Sequence, residues 1–307
     1  MNIVVLGSAA GGGLPQWNCA CSNCRRARAG DPDVQARTQA SIAISADGAR
    51  WFVINATPDL RQQIAATPQI HPREHPRHTP IAGVLLTGSE VDQVTGLLTL
   101  REGQPLALYA TEEVHAILDD NPIFEALKRD KVARRRLALD APLDLEDRDG
   151  AAVGLRIELF SVPGKVPLYL EGDLAPDAMQ GAAGDTVGVD ISAGGRRALY
   201  IPGCARLTPA LLSRMDGADL LLFDGTLWAD REMIDQGLSE KTGRRMGHIS
   251  ASGAEGSIAA LADARIGRRV FIHVNNSNPL LDDGSPQRAE ARRAGWDVAF
   301  DSQEFVL

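Results

Sequence analysis

The chain has 307 residues, 44% of them hydrophobic, enough to bury a large core in one big domain or two ordinary ones. Its 32 Lys and Arg against 40 Asp and Glu give a formal charge of −8, an acidic surface that argues against nucleic acid as the main partner. No apolar run has the length of a membrane span, and the four cysteines, three of them within six positions, suit metal ligation in a reducing compartment, the cytoplasm by default, rather than a disulfide framework.

The run NIVVL (2–6) predicts a strand entering the glycine turn GSAAGGG; it is too short, and lacks the preceding positive charge, to be a secretory signal. ASIAIS (40–45) and RWFVIN (50–55) flank ADGA, whose Asp-Gly marks a hairpin. Thr57 as N-cap and Pro58 at the first helical position open a helix over 57–67, and the Pro-broken HPREHPRH (71–78) reads as an exposed loop. A strand over 81–86, an acidic turn, a helix to about Arg101, a strand over 106–109 and a helix from Thr111 follow. Helical character continues through NPIF to the basic run RDKVARRR (129–136). Residues 140–202 are β-rich, with turns at VPGK, GAAGD and SAGGRR. The last third predicts helix 208–214, strand 219–223, a helix around 251–263, strand 269–274, helix 286–293 and strand 296–300. With no linker and no internal repeat, this order predicts a single α/β domain over 1–307, a four-layer αββα sandwich, with a doubly wound sheet as the alternative.

Two groups of residues carry chemistry. WNCACSNC places Cys19, Cys21 and Cys24 in a C-x-C-x-x-C knot inside the glycine- and cysteine-rich loop 8–30, where three thiolates converge on a zinc-like cation with bonds of roughly 2.3 Å. A fourth ligand is expected from among His71, His75 and His78, with Cys204 on a separate strand less suited. The second group gathers at strand ends. TGSEVDQVTG carries Glu90 and Asp92, either as site carboxylates or as part of a helix cap in which Ser89 or Asp92 closes the start. LLLFDGTLW brings Asp224, VPGK brings Lys165, and FIHVNN brings His273 followed by Asn275, Asn276 and Asn278, while GRRMGHIS adds His248 just before a helix. Functional groups at the carboxyl ends of strands are what a site in a layered α/β fold looks like. GSAAGGG lacks the spacing of a dinucleotide turn; its glycines instead allow backbone to approach a site closely.

These strand ends resemble the metallo-β-lactamase superfamily. T-x-x-x-x-D-x-x-x-G at 87–96 is similar to its metal-binding turn T-H-x-H-x-D-H-x-x-G: Thr87, Asp92 and Gly96 keep their places, whereas its histidines fall on Gly88, Glu90 and Gln93. Lys165 stands in the slot of the next histidine and Cys204 in that of the bridging aspartate, while His273 preserves the last histidine. Ordinary zinc-dependent hydrolysis is therefore not expected. VLGSAAGGGLPQWNCACSNC, NATPDLRQQI, GLLTLREGQPLALYAT, FDGTLW, KTGRRMGHIS and FIHVNNSNPLL together resemble the coenzyme PQQ synthesis protein B family over residues 3–281.

That resemblance implies a metallo-β-lactamase fold, a structural zinc on Cys19, Cys21 and Cys24, and a place in pyrroloquinoline quinone (PQQ) biosynthesis. It implies one of two roles. The first is iron-dependent hydroxylation of the tyrosine ring in a Glu–Tyr-derived precursor. Asp92, His273 and Glu90 would then hold Fe(II), Gln93 would stand where the family carries a histidine ligand, and Asp224 and His248 would orient ligands or substrate. Lys165, Arg244, Arg245 and Asn275 would meet the substrate. The second is a non-catalytic carrier for PQQ or its precursor on the way to the periplasm. Other proteins of the pathway are the expected partners, and a homo-oligomer stays open.

Overall fold

The computed structural model describes residues 1–165, 184 and 186–307. The central strands of both sheets are short runs buried on both faces, the signature of sheets covered on both sides. β1 (Asn2–Gly7) pairs antiparallel with β2 (Ser41–Ser45), and α1 (Ser22–Arg28) lies between them in sequence. β3 (Trp51–Ile54) completes the hairpin, whose Gly48 has φ +74° and whose Asp47 Oδ1 accepts the N–H groups of Ala49 and Arg50 at 2.8 and 2.9 Å. After α2 (Leu60–Ala66), the strands β4 (Ile81–Leu85), β5 (Leu106–Ala110) and β6 (Val132–Arg136) add in parallel, separated by α3 (Val91–Val94) and α4 (Glu112–Asp120).

The second half builds another sheet. β7 (Leu143–Glu146), β8 (Ala152–Ser161), β9 (Val187–Ala193) and β10 (Arg196–Ile201) run antiparallel, and the predicted turn GAAGD at 181–185 lies, apart from Gly184, outside the described residues. After α5 (Pro209–Met215) come β11 (Leu220–Asp224), α6 (Glu232–Asp235), α7 (Ser257–Ala260), β12 (Arg268–Ile272), α8 (Pro286–Arg293), β13 (Trp296–Val298) and β14 (Glu304–Val306). The sheet orders are β14-β1-β2-β3-β4-β5-β6 and β13-β12-β11-β10-β9-β8-β7. Two sheets rather than one rule out the doubly wound alternative.

Alternation along the strands sorts the core into layers. Ile3, Ile42, Phe52 and Tyr109 of the first sheet meet Leu159, Ile191, Tyr200 and Val270 of the second. The opposite faces, carrying Val4, Val53 and Val84 or Leu199, Phe223 and Phe271, are covered by helices bearing Leu60 and Leu118, or Leu211 and Ala291. This is the αββα sandwich.

Several elements differ from the sequence reading. Thr57 does not cap α2 directly: its Oγ1 accepts the Asp59 N–H at 3.2 Å and its carbonyl the Leu60 N–H at 2.9 Å, so the helix starts at Leu60. The helix expected to reach Arg101 is one α turn that tightens into a 3₁₀ segment at Thr95–Leu100. The helix around 251–263 shrinks to Ser257–Ala260. VARRR forms β6 at the edge of the first sheet, where the consecutive Arg134, Arg135 and Arg136 pair with Asp119, Glu146 and Glu112. β14 arises only by pairing with β1.

Candidate functional site

Because β4, β11 and β12 each lie within a parallel set, their carboxyl ends and the loops that follow open on one cavity of about 720 Å3 between the two sheets. Asp92 sits in the first turn of α3 and reaches into it. The preceding turn is fastened to β3: the Thr87 N–H donates to Asn55 Oδ1 at 2.9 Å, and Asn55 Nδ2 to Thr87 Oγ1 at 2.9 Å. The glycine turn after β1 closes over Asp92, since a Cβ on Gly11 would lie 3.3 Å from Asp92 Oδ2.

His273 follows β12 with φ +58°, a left-handed conformation uncommon for a residue with a side chain. Neighbouring backbone holds it there: the Val274 N–H donates to the Ser8 carbonyl at 3.0 Å and the Asn275 N–H to the Thr226 carbonyl at 3.1 Å. The bend aims His273 Nε2 at Asp92 Oδ2, 3.5 Å away, and turns Nδ1 to Thr226 Oγ1 at 2.9 Å. Burial favours the neutral ring, yet Asp92, followed by Asp224 and Glu90, raises its pKa above the ordinary imidazole value.

The His273 ring stacks on His248, with centroids 5.4 Å apart and planes at 23°. His248 Nδ1 lies 2.8 Å from Asp224 Oδ2, which also accepts the Cys204 N–H at 2.8 Å. Asp224 Oδ1 accepts the N–H and the hydroxyl of Thr226 at 3.0 and 2.6 Å. Asp224 is fully buried, which would raise its carboxyl, but His248, His273 and the Thr226 hydroxyl hold it below the usual carboxylate range. Cys204 is buried beside it but joins neither the three clustered cysteines nor the group formed by Asp224, His248 and His273; burial and the Asp224 charge raise its pKa, so the thiol stays neutral.

Glu90, Lys165, Asn275 and Lys241 also line the cavity. Arg244 and Arg245 do not. They open a 3₁₀ turn, Arg244–Met246, that ends at Gly247 with φ +85°. This geometry sends both arginines to solvent, Arg244 onto Glu255, and leaves Met246 and His248 facing inward. Gln93 lines the cavity too, but its Oε1 accepts the Glu90 N–H at 3.1 Å, so its carbonyl closes the start of α3. The helix cap therefore comes from Glu90 and Gln93, not from Ser89 or Asp92. The sequence reading passed over Thr226 and Lys241, and noted Asn276 without giving it a role. Thr226 directly follows Asp224–Gly225 and Lys241 opens the basic run KTGRR, so their positions were visible, but their directions were not.

The three clustered cysteines form a second centre. Cys21 is the N-cap of α1, and its Sγ accepts the Cys24 N–H at 3.5 Å. Cys19 Sγ accepts the Cys21 N–H and Cys24 Sγ the Gln16 N–H, both at 3.4 Å. The sulfurs lie within 4.8 Å of one another. On a tetrahedral zinc they would sit roughly 3.8 Å apart, so the knot fits that ion with little movement. Burial pushes the Cys21 thiol up to about 12, with the Cys19 and Cys24 thiols adding to the shift; this is the crowding a cation would relieve. No histidine joins the thiols among the described residues. His71 Nε2 faces the Ile64 carbonyl at 2.9 Å, His78 Nδ1 accepts the Arg73 N–H at 3.3 Å, and the His75 ring packs against His78. The side chain that does touch the knot is Asn276, whose amide lies 3.2 Å from Cys24 Sγ.

Comparison with known proteins adds the lineage. The pattern of the beta-lactamase superfamily domain matches residues 50–274. Coenzyme PQQ synthesis protein B of Gluconacetobacter diazotrophicus is 58% identical over 306 residues, covering 100% of this chain and 99% of its own. The chain belongs to the coenzyme PQQ synthesis protein B family. The protein of the same name from Methylorubrum extorquens strain AM1 is 55% identical over 301 residues, 98% of either chain. Among solved structures, Zn(2+)-bound PqqB from Methylobacterium extorquens has a TM-score of 0.94 at 54% identity, covering all of both chains. A diphosphatase of the PhnP family superposes with a TM-score of 0.67 at 18% identity over 99% of this chain and 96% of its own, which speaks for the fold alone.

The donors of the cavity also bear on iron. Two adjacent donors on an octahedral ion with bonds of roughly 2.1 Å are roughly 3 Å apart, so Asp92 and His273 at 3.5 Å fit one ferrous ion between them. Gln93, held in the helix cap, does not turn its carbonyl to that point.

Proposed function

We propose that this chain works in PQQ biosynthesis and hydroxylates the tyrosine ring of a Glu–Tyr-derived precursor, using ferrous ion, dioxygen and an external two-electron reductant, so that one oxygen atom enters the ring and the other leaves as water. The observation that carries the reading is the convergence of Asp92 Oδ2 and His273 Nε2, from opposite sheets, at 3.5 Å in one cavity. Asp92 and His273 would hold the ion, with Glu90 at hand as a third oxygen donor, and the ion would supply activation of dioxygen. The chain's own residues do the rest. Lys165 and Lys241 attract the precursor's carboxylates by charge, a role the outward-facing Arg244 and Arg245 cannot take. Met233, Met246 and Val187 offer an apolar wall for the aromatic ring, and Asn275 adds a polar contact. Asp224 and Thr226 hold the two imidazoles in place. Cys19, Cys21 and Cys24, with Asn276 beside them, would hold a structural zinc.

The test is anaerobic loading with Fe(II), then addition of the Glu–Tyr precursor, a two-electron reductant such as ascorbate, and O2. An oxygenated product is expected from the native chain and none from Asp92→Ala. No product from iron-bound native protein sinks the reading. The diversion of Gln93 into the helix cap favours a second reading, a carrier that binds PQQ or its precursor without turnover. PQQ binding that survives Asp92→Ala, with no product from either form, would establish the carrier instead.

A further inference from the structure

We infer that Thr226 is a positioning residue that decides which nitrogen of His273 carries the proton, and so keeps the cavity-facing nitrogen available as an electron-pair donor. Thr226 Oγ1 lies 2.6 Å from Asp224 Oδ1, 2.9 Å from His273 Nδ1, and 3.0 Å from both His248 Nδ1 and the His273 carbonyl. A hydroxyl has one proton to donate and two lone pairs to accept with. Four neighbours therefore compete for one proton.

Asp224 wins that competition. It is fully buried, and two oxygens 2.6 Å apart, one of them a carboxylate, repel unless a proton lies between them. With its proton committed there, Oγ1 presents only lone pairs to the two rings, and each Nδ1 must be an N–H. For His248 the same result follows from Asp224 Oδ2, which accepts from its Nδ1 at 2.8 Å. For His273 Nδ1, Thr226 is the hydrogen-bond partner found among the described residues.

The neutral His273 ring is therefore protonated on Nδ1 and bare on Nε2, the nitrogen that faces Asp92 and the cavity. Asp92 by itself would favour the opposite tautomer, with the proton on Nε2 donated to its carboxylate. The 2.9 Å contact to Thr226 outweighs the 3.5 Å contact to Asp92. Remove the hydroxyl, and the ring donates to Asp92, closing the point where the two side chains meet. The tautomer stands independently of the iron reading; only its consequence for metal binding rests on that reading.

Histidine-labelled protein, isolated without added ferrous ion, can be read by two-bond proton–nitrogen correlation at about pH 9, well above the ordinary imidazole range. In the native chain both His273 and His248 should show the Nδ1–H pattern. In Thr226→Val, His273 should switch to Nε2–H while His248, still served by Asp224, keeps its pattern and reports an intact site. Thr226→Ser should restore the native pattern. A ferrous titration followed by Kd should weaken about 10- to 100-fold in Thr226→Val and not in Thr226→Ser. An Nε2–H His273 in the native chain, or an unchanged His273 in a Thr226→Val protein with intact His248, overturns the inference. If Thr226→Val loses the His248 pattern as well, the native and Thr226→Ser spectra decide, since both must show Nδ1–H on His273. The expected tautomers with unmoved ferrous affinity would uphold the role of Thr226 and refute His273 as an iron donor.

Discussion

The cysteine knot and the cavity are two ways of bringing cation donors together. In the knot, three sulfurs come from six consecutive positions, and the backbone N–H groups of Gln16, Cys21 and Cys24 hold them. In the cavity, Asp92 and His273 are nearly two hundred positions apart and meet only because two sheets align their strand ends. A local site is set by a few dihedrals, and an ion there would offset the burial that raises the Cys21 thiol. A long-range site inherits its precision from the whole sandwich, so its donors must be held by further side chains such as Asn55, Thr226 and Asp224.

The contrast can be pressed hardest at the knot. Cys24→Ser should remove one equivalent of zinc by elemental analysis and lower unfolding stability by several kcal/mol, since binding energy at such a site is folding energy. Next is Glu232, buried against Ser277, whose hydroxyl it holds at 2.6 Å on the strip joining Asn275 of the cavity to Asn276 of the knot. Burial pushes the Glu232 carboxyl from 4.5 up to about 7. The unfolded chain therefore loses this proton before the folded one does. The folded state loses stability as pH rises from about 4.5 through 7, by about 3 kcal/mol at most. Denaturant melts should show Glu232→Gln free of that slope and more stable than the native chain at pH 8. Within the cavity, Lys241→Met should raise KM for an acidic substrate about tenfold or more, the worth of a charge-assisted hydrogen bond, while Arg244→Met leaves KM unchanged. The smallest change sharpens the comparison most. Gln93→His should tighten ferrous binding about tenfold by adding an imidazole, and lower thermal stability by about 1 kcal/mol through the lost helix cap. Unchanged ferrous affinity would mean that position 93 cannot turn toward Asp92.

Patterning made most of the fold legible. Alternating and continuous apolar runs marked β1 to β5 and β11 to β13, residues 140–202 read as β-rich without separate strands, and the order of elements led to the sandwich. Elements that depend on a distant partner were not legible: β6 looked like a basic helix end, and β14 exists through β1. The same divide runs through the site. Asp92, Asp224 and His273 stood out as chemical residue types at strand ends and His248 as one before a helix, whereas Thr226 is an ordinary hydroxyl until four neighbours surround it. Arg244 and Arg245 carry the right charge on the wrong side of a 3₁₀ turn.

Residue order by itself determined the layered architecture, the thiol knot and the carboxylates and imidazoles available for chemistry, because periodicity and close spacing are properties of neighbouring residues. Direction was decided by tertiary structure: which cations face the cavity, whose amide closes a helix rather than meeting Asp92, and which hydroxyl stands between two rings. A rotation of one residue turns a side chain from cavity to solvent, and only packing against the rest of the chain selects among such rotations.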